Sequence, residues 1–123
     1  LTLYEDEEGW GWVQLETDGY VGYVAMHEIG PAGPAPTHVV RVGRTFVYPA
    51  PDMKQPPLAA LPLGARVAIS HVVGDYAGSA DGGFIYVRHL AACAEREIDF
   101  VAVAEGFAGV PYLWGGRSPL GVD

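Results

Sequence analysis

Few side chains in this sequence are of a kind that does covalent chemistry, and their surroundings decide what they can do. Cys93 is the single thiol. A thiol becomes a nucleophile when a positive neighbour or a helix N-terminus holds it as the thiolate beside a base. Cys93 stands in Ala91-Ala92-Cys93-Ala94-Glu95, with no Gly- or Ser-rich elbow and no His paired to it by sequence. It reads as a structural or incidental residue. His27, His38, His71 and His89 lack the short ligand spacings of a metal site and read as surface or barrel-wall residues. One cysteine forms neither an internal disulfide nor a zinc cluster, so no metal and no cofactor is expected. The run Glu5-Asp6-Glu7-Glu8 is either a solvated loop or an attractor of amines.

Charge narrows the class of ligand. The 123 residues carry a formal charge of −8, and the excess is uneven. Residues 1–30 hold seven carboxylates and no Lys or Arg, residues 31–91 five basic and three acidic groups, and residues 92–123 two and five. Such a chain repels phosphate backbones and attracts amines, which argues against a nucleic-acid partner. No apolar run reaches the roughly 18 residues of a membrane span. Half the residues are apolar, and Gly 17 with Pro 10 point to short strands joined by many tight turns.

Those turns organise the chain. Trp10 to Glu16 reads as a strand, Asp18-Gly19 as a tight turn and Tyr20 to Ala25 as the return strand of a β-hairpin. Gly30-Pro31-Ala32-Gly33-Pro34-Ala35-Pro36 then breaks any ladder and reads as a linker. His38 to Tyr48 holds one or two strands, and Pro49 to Pro62 a Pro-rich loop anchored by Leu58 and Leu61. Ala65 to Val72 is a further strand, Gly74-Asp75 and Asp81-Gly82-Gly83 are turns, and Phe84 to Val87 returns. A shift of 63 lays Asp18-Gly19 on Asp81-Gly82 and Tyr23-Val24 on Tyr86-Val87, with Leu1 to Glu5 near Val67 to His71 after a loop adjustment. Two copies of one small barrel follow. The first lacks a counterpart of residues 38 to about 66, so residue 1 is expected to be an internal point of a longer protein. Residues 38–90 are expected to close, or nearly close, a barrel. Beyond Leu90 the period changes: Asp99 caps a helix that turns Val101, Ala104 and Ala108 to one side beside Phe100, Val103 and Phe107, and Gly109 and Pro111 stop it.

The segment Val110-Pro111-Tyr112-Leu113-Trp114-Gly115-Gly116-Arg117-Ser118-Pro119-Leu120-Gly121-Val122-Asp123 resembles the entry to the catalytic domain of the NlpC-type, papain-like cysteine peptidases of bacterial cell walls. Asp18-Gly19-Tyr20-Val21-Gly22-Tyr23-Val24 resembles the bacterial SH3-like barrels that precede such domains. The resemblance implies a mainly β chain of tandem SH3-like barrels, the first incomplete, leading into the first helix and loop of a papain-like α+β domain. It divides the chain into residues 1–29 (first barrel), 30–37 (linker), 38–91 (second barrel) and 92–123 (start of the peptidase domain).

In that family the residue after this Asp is the nucleophilic Cys, and the His residues lie downstream. The resemblance therefore implies no catalytic residue in this chain and predicts that the 123 residues alone are inactive. The parent would be a bacterial γ-D-glutamyl-L-diamino acid endopeptidase of murein stem peptides with a free N-terminal L-Ala, in the cytoplasm or the periplasm. Barrel residues would wall one end of its groove. Asp123 would bind the substrate's ammonium or cap the next helix, or both. Tyr112 and Trp114 would line the groove or fill a core. Tyr20 is the barrel tyrosine expected to reach the groove, with Tyr23, on the opposite face of the strand, as the alternative. Arg117 would pair with a neighbouring carboxylate. The rival readings are a non-catalytic module whose barrels dock on murein peptides or a partner, and a reader of Pro-rich motifs.

Overall fold

The computed structural model describes residues 1–95 and 99–123. The protein is mainly β, built from small antiparallel sheets with one short helix, in keeping with SH3-like β domains. It divides into two compact units, Leu1–Gly33 and Pro34–Asp123. The division falls inside the Pro/Gly run, where each proline removes a donor from any ladder. Residues 99–123 belong to the same unit as the second set of barrel strands.

The first unit is a three-stranded antiparallel sheet of β1 (Thr2–Glu7), β2 (Trp10–Gln14) and β3 (Val21–Ala25), in that order, followed by a single 3₁₀ turn at Met26–Glu28. The chain reverses between β1 and β2 at Glu8-Gly9, with φ of 51° and 81°. Two consecutive positive φ values match the right-handed twist of the flanking strands, which is why a two-residue turn suffices. Glu5-Asp6-Glu7, a solvated loop by one sequence reading, therefore lies in a strand. The β2–β3 hairpin forms as expected, but β3 starts at Val21 rather than Tyr20. The Asp18 carboxylate accepts the Tyr20 N–H at 3.0 Å and the Tyr20 carbonyl accepts from Leu15, so Tyr20 is held in the turn. On the inner face of the sheet Gly11 lets Leu3, Met26 and Ile29 close in; a Cβ there would meet all three side chains.

The second unit contains β4 (His38–Val40), β5 (Arg44–Val47), β6 (Ala59–Pro62), β7 (Arg66–Val67), β8 (Ile69–Val73), β9 (Tyr76–Ser79) and β10 (Phe84–Tyr86). A 3₁₀ turn at Val87–His89 leads into β11 (Leu90–Ala92). The strands make sheets β10-β9-β8, β11-β4-β7 and β5-β6, with a Tyr48–Phe84 bridge tying the third to the first. The expected strand at Ala65–Val72 is bent at Ala68, whose carbonyl accepts from Ala80. Its halves, β7 and β8, serve two sheets, which rolls the strands around a common core. Ile85, Val40, Ala77 and Leu90 form that core, with Val42, Val47, Leu61, Val67, Ile69 and Val87 packed against it.

Three expectations are corrected in this unit. The Pro-rich stretch is not all loop, because Ala59–Pro62 pairs with β5. Proline is tolerated there at the strand's last position. Leu61 packs on the core, whereas Leu58 is 64% exposed and anchors little. The helix α1 (Phe100–Glu105) begins as expected, with Asp99 accepting the Ala102 N–H at 2.9 Å, but it ends at Glu105. From Phe107 the carbonyl partners lie three residues back instead of four, and Gly109 at φ 84° closes the segment. Two short strands, β12 (Arg117–Ser118) and β13 (Gly121–Val122), pair as a hairpin.

The internal repeat is present in the backbone, with the first strand at its expected offset of 66 and the return strand in a different register from the shift of 63. The β1–β2 hairpin maps onto β8–β9 by 66 residues, including a bulge between Leu3 and Glu5 that recurs between Ile69 and His71. The β2–β3 pairing maps Gly11 with Val24 onto Ala77 with Ile85, so the return strand is displaced by only 61. Even the bond entering each 3₁₀ turn recurs: Met26 N–H to Gly9, and Val87 N–H to Asp75. The turn between the second and third strands of the repeat is five residues shorter in the second copy. The offset of 63 matches the turns and misplaces the strands that flank them, whereas the expected placement of Leu1 to Glu5 on Val67 to His71 has the observed offset of 66.

Candidate functional site

The segment that resembles a peptidase entry folds into a small closed turn. Tyr112 makes a parallel bridge to Val122, Leu113 N–H donates to the Val122 carbonyl at 2.9 Å, and Val122 N–H donates back to Pro111. Gly116 N–H donates to Leu113 at 2.7 Å, and Gly115 takes φ 69°. The glycines are spaced by contact. A Cβ on Gly116 would strike the Gly121 backbone, and a Cβ on Gly121 would strike the Leu113 side chain. Two backbones thus approach at a distance only glycine permits.

Asp123 ties this turn shut. Its Oδ2 accepts the Gly115 N–H at 3.0 Å, and its own N–H donates to the Gly116 carbonyl at 3.1 Å. One carboxylate oxygen is thereby engaged while the side chain as a whole is exposed. A carboxylate has about four acceptor sites, so it can hold this turn and still receive a cationic donor. Tyr112 and Trp114 flank the turn and are 68% and 86% exposed, so neither side chain fills a core in this structure.

Tyr20 and Tyr23 differ in setting. Tyr20 sits in the β2–β3 turn, exposed, with no ring partner among the described residues. Tyr23 lies within β3 opposite Trp12, with ring centroids 4.8 Å apart and planes at 55°. Register extends that contact into a larger face. Trp12 pairs with Glu5 and Tyr23, and Trp10 pairs with Glu7 and Ala25, so their side chains share the outer face of the sheet. Glu5, Glu7, Glu8, Trp10, Trp12 and Tyr23 line a cavity of about 410 Å³ there. The sequence reading missed this grouping. Its signal was Glu5 and Glu7 before, and Trp10 and Trp12 after, a two-residue turn, a pattern that a strand period of two folds onto one face.

The remaining candidates are separate from these groups. Cys93 is exposed on the exit from β11, where its backbone N–H bonds the Thr37 carbonyl. Each histidine has a local partner: His27 the Glu28 carboxylate at 3.4 Å, His38 the Thr37 hydroxyl, His71 the Ser70 hydroxyl, and His89 the buried Thr45 hydroxyl at 2.8 Å. Among the described residues no group of three His, Cys, Asp or Glu is placed to hold a metal ion, and no helix is long and apolar enough to cross a membrane.

Comparison with known families adds one finding. A family model described as the bacterial dipeptidyl-peptidase Sh3 domain matches residues 1–29, which is the first unit almost in full. No curated protein sequence matches the chain.

Proposed function

We propose that this chain is the substrate-restricting part of a bacterial cell-wall peptidase, with a bacterial SH3 unit at residues 1–29 and the threshold of an NlpC-type catalytic domain at residues 110–123. The match of residues 1–29 to an SH3 domain of bacterial dipeptidyl-peptidases carries the reading. The closed Gly-rich turn that holds Asp123 at its rim supports it.

In this proposal a cysteine directly after Asp123 supplies the thiolate and a downstream histidine moves the proton. The bond cleaved is the amide between γ-D-glutamate and an L-diamino acid in a murein stem peptide. Asp123 receives the ammonium of the N-terminal L-Ala, with Tyr112 and Trp114 beside it on the same turn. Selection of free stem peptides then comes from one charge pair.

The alternative is a module that binds murein peptide without chemistry, which the SH3 match accommodates equally. The test is incubation of the protein carrying this chain with L-Ala-γ-D-Glu-diamino acid tripeptide, alongside the isolated 123 residues. Cleavage between D-Glu and the diamino acid by the former, with none by the latter, is the expected result. Binding of the tripeptide without turnover by either would establish the module instead.

A further inference from the structure

The outer face of the first unit is built differently from its repeat, although both backbones follow one plan. The cup combines two indoles and a phenol with three carboxylates, and Trp10 and Tyr23 are 55% and 69% exposed, so ring faces are open to a ligand. Among the described residues no hydrogen bond or ion pair engages the carboxylates of Glu5, Glu7 or Glu8. No Lys or Arg occurs before Arg41. In the second unit the positions of Glu5 and Glu7 hold His71 and Val73, and that of Trp12 holds Gly78. There the His71 ring lies over Gly78 and meets Phe84 edge-on at 5.9 Å, filling the space that the first unit leaves open.

We infer that this cup binds an organic ammonium ion carried on an alkyl stem, such as the end of a lysine-type side chain. Ring faces present negative charge to a cation and apolar surface to methylenes, and the carboxylates accept the ammonium protons. A metal ion fits poorly, because among the described residues no three His, Cys, Asp or Glu groups are placed together to hold one. Glu5 and Glu7, two strand positions apart at about 6.6 Å, flank a ligand more readily than they chelate an ion. A planar guanidinium cannot stack on Trp12 and Tyr23 together, since their planes are tilted by 55°. The inference needs neither a nucleophile nor Asp123, so it stands or falls apart from the peptidase reading.

The test is titration of the 123-residue chain with Nα-acetyl-L-lysine methylamide, read from the indole N–H resonances of Trp10 and Trp12, with the backbone amide of Ile85, in the core of the second unit, as internal control. Both cup indoles are expected to shift saturably. The neutral analogue Nα-acetyl-L-norleucine methylamide, which lacks the terminal ammonium, is expected to bind about tenfold more weakly, since exposed cation–ring and ion-pair contacts each contribute only severalfold. The double variant Glu5→Gln, Glu7→Gln is expected to lose about as much for the lysine probe and little for norleucine. Raising the salt from low concentration to half molar is expected to weaken the wild type severalfold. Equal response to the two probes, a shift of the Ile85 amide as large as those of the cup indoles, or no shift at tens of millimolar would each overturn the inference.

Discussion

Replacing Asp123 by Asn separates the two jobs this side chain can hold, because they differ in what they ask of its oxygens. Holding the turn requires one acceptor for the Gly115 N–H, now supplied by Oδ2 at 3.0 Å. An amide oxygen can take that role, so the variant loses only the charge assistance of one exposed hydrogen bond. Neutral bonds are worth about 0.5–1.5 kcal/mol and charged ones about 1.5–3, so stability should fall by about 1 kcal/mol. Receiving a substrate ammonium in a groove that the bound peptide closes requires the negative charge itself. Removing one partner of such a desolvated pair costs about 2–5 kcal/mol. At about 1.4 kcal/mol per decade, that is a loss of roughly 30-fold or more in kcat/KM. The assay compares the protein carrying this chain with its Asp123→Asn form on free and N-acetylated tripeptide. Acetylation should cost the wild type a similar factor and add little in the variant, because both changes remove one interaction. Equal turnover of free and acetylated peptide by the wild type, or less than threefold loss in the variant, would refute the ammonium role and leave Asp123 as a turn lock.

Further expectations concern the framework and the lone thiol. Ile85→Ala, at a fully buried position against Val40, Ala77 and Leu90, should lower the unfolding free energy of the second unit by about 2–5 kcal/mol in urea titration; a loss below 1 kcal/mol would show that the core lies elsewhere. Gly121→Ala should force the Leu113 side chain away and open the turn. With overpacking costing about 1–3 kcal/mol, exchange of the Gly115 amide should accelerate by about tenfold or more. Gly43→Ala, where a Cβ meets nothing, is the matched control and should leave that amide unchanged. The 123-residue chain should not cleave the tripeptide, because Cys93 is exposed and its thiol has no hydrogen-bonded base among the described residues; turnover that vanishes in Cys93→Ala would contradict this.

Local chemistry determined what could be read without a fold. The Asp18-Gly19 turn, the Asp99 cap, the Pro/Gly break before residue 38 and the alternation of short strands are each set by neighbours within a few residues, through positive φ, a carboxylate acceptor or a missing donor. The duplicated unit was legible for the same reason, but its register was not. Hydrogen-bond pairing fixes register, and one shortened turn moves Tyr86 from the place of Tyr23 to that of Ala25. The helix length escaped because the change to tighter, three-residue bonding from Phe107 onward leaves no mark in the apolar periodicity. The two candidate sites divide along the same line. The Trp-Gly-Gly to Gly-x-Asp spacing marked a motif in the sequence, yet only the close approach of Leu113, Gly116 and Gly121 explains why glycines stand there. The aromatic cup is half local: Glu5, Glu7, Trp10 and Trp12 meet across one tight hairpin, whereas Tyr23 joins them only through pairing with a third strand, whose register the intervening turn sets.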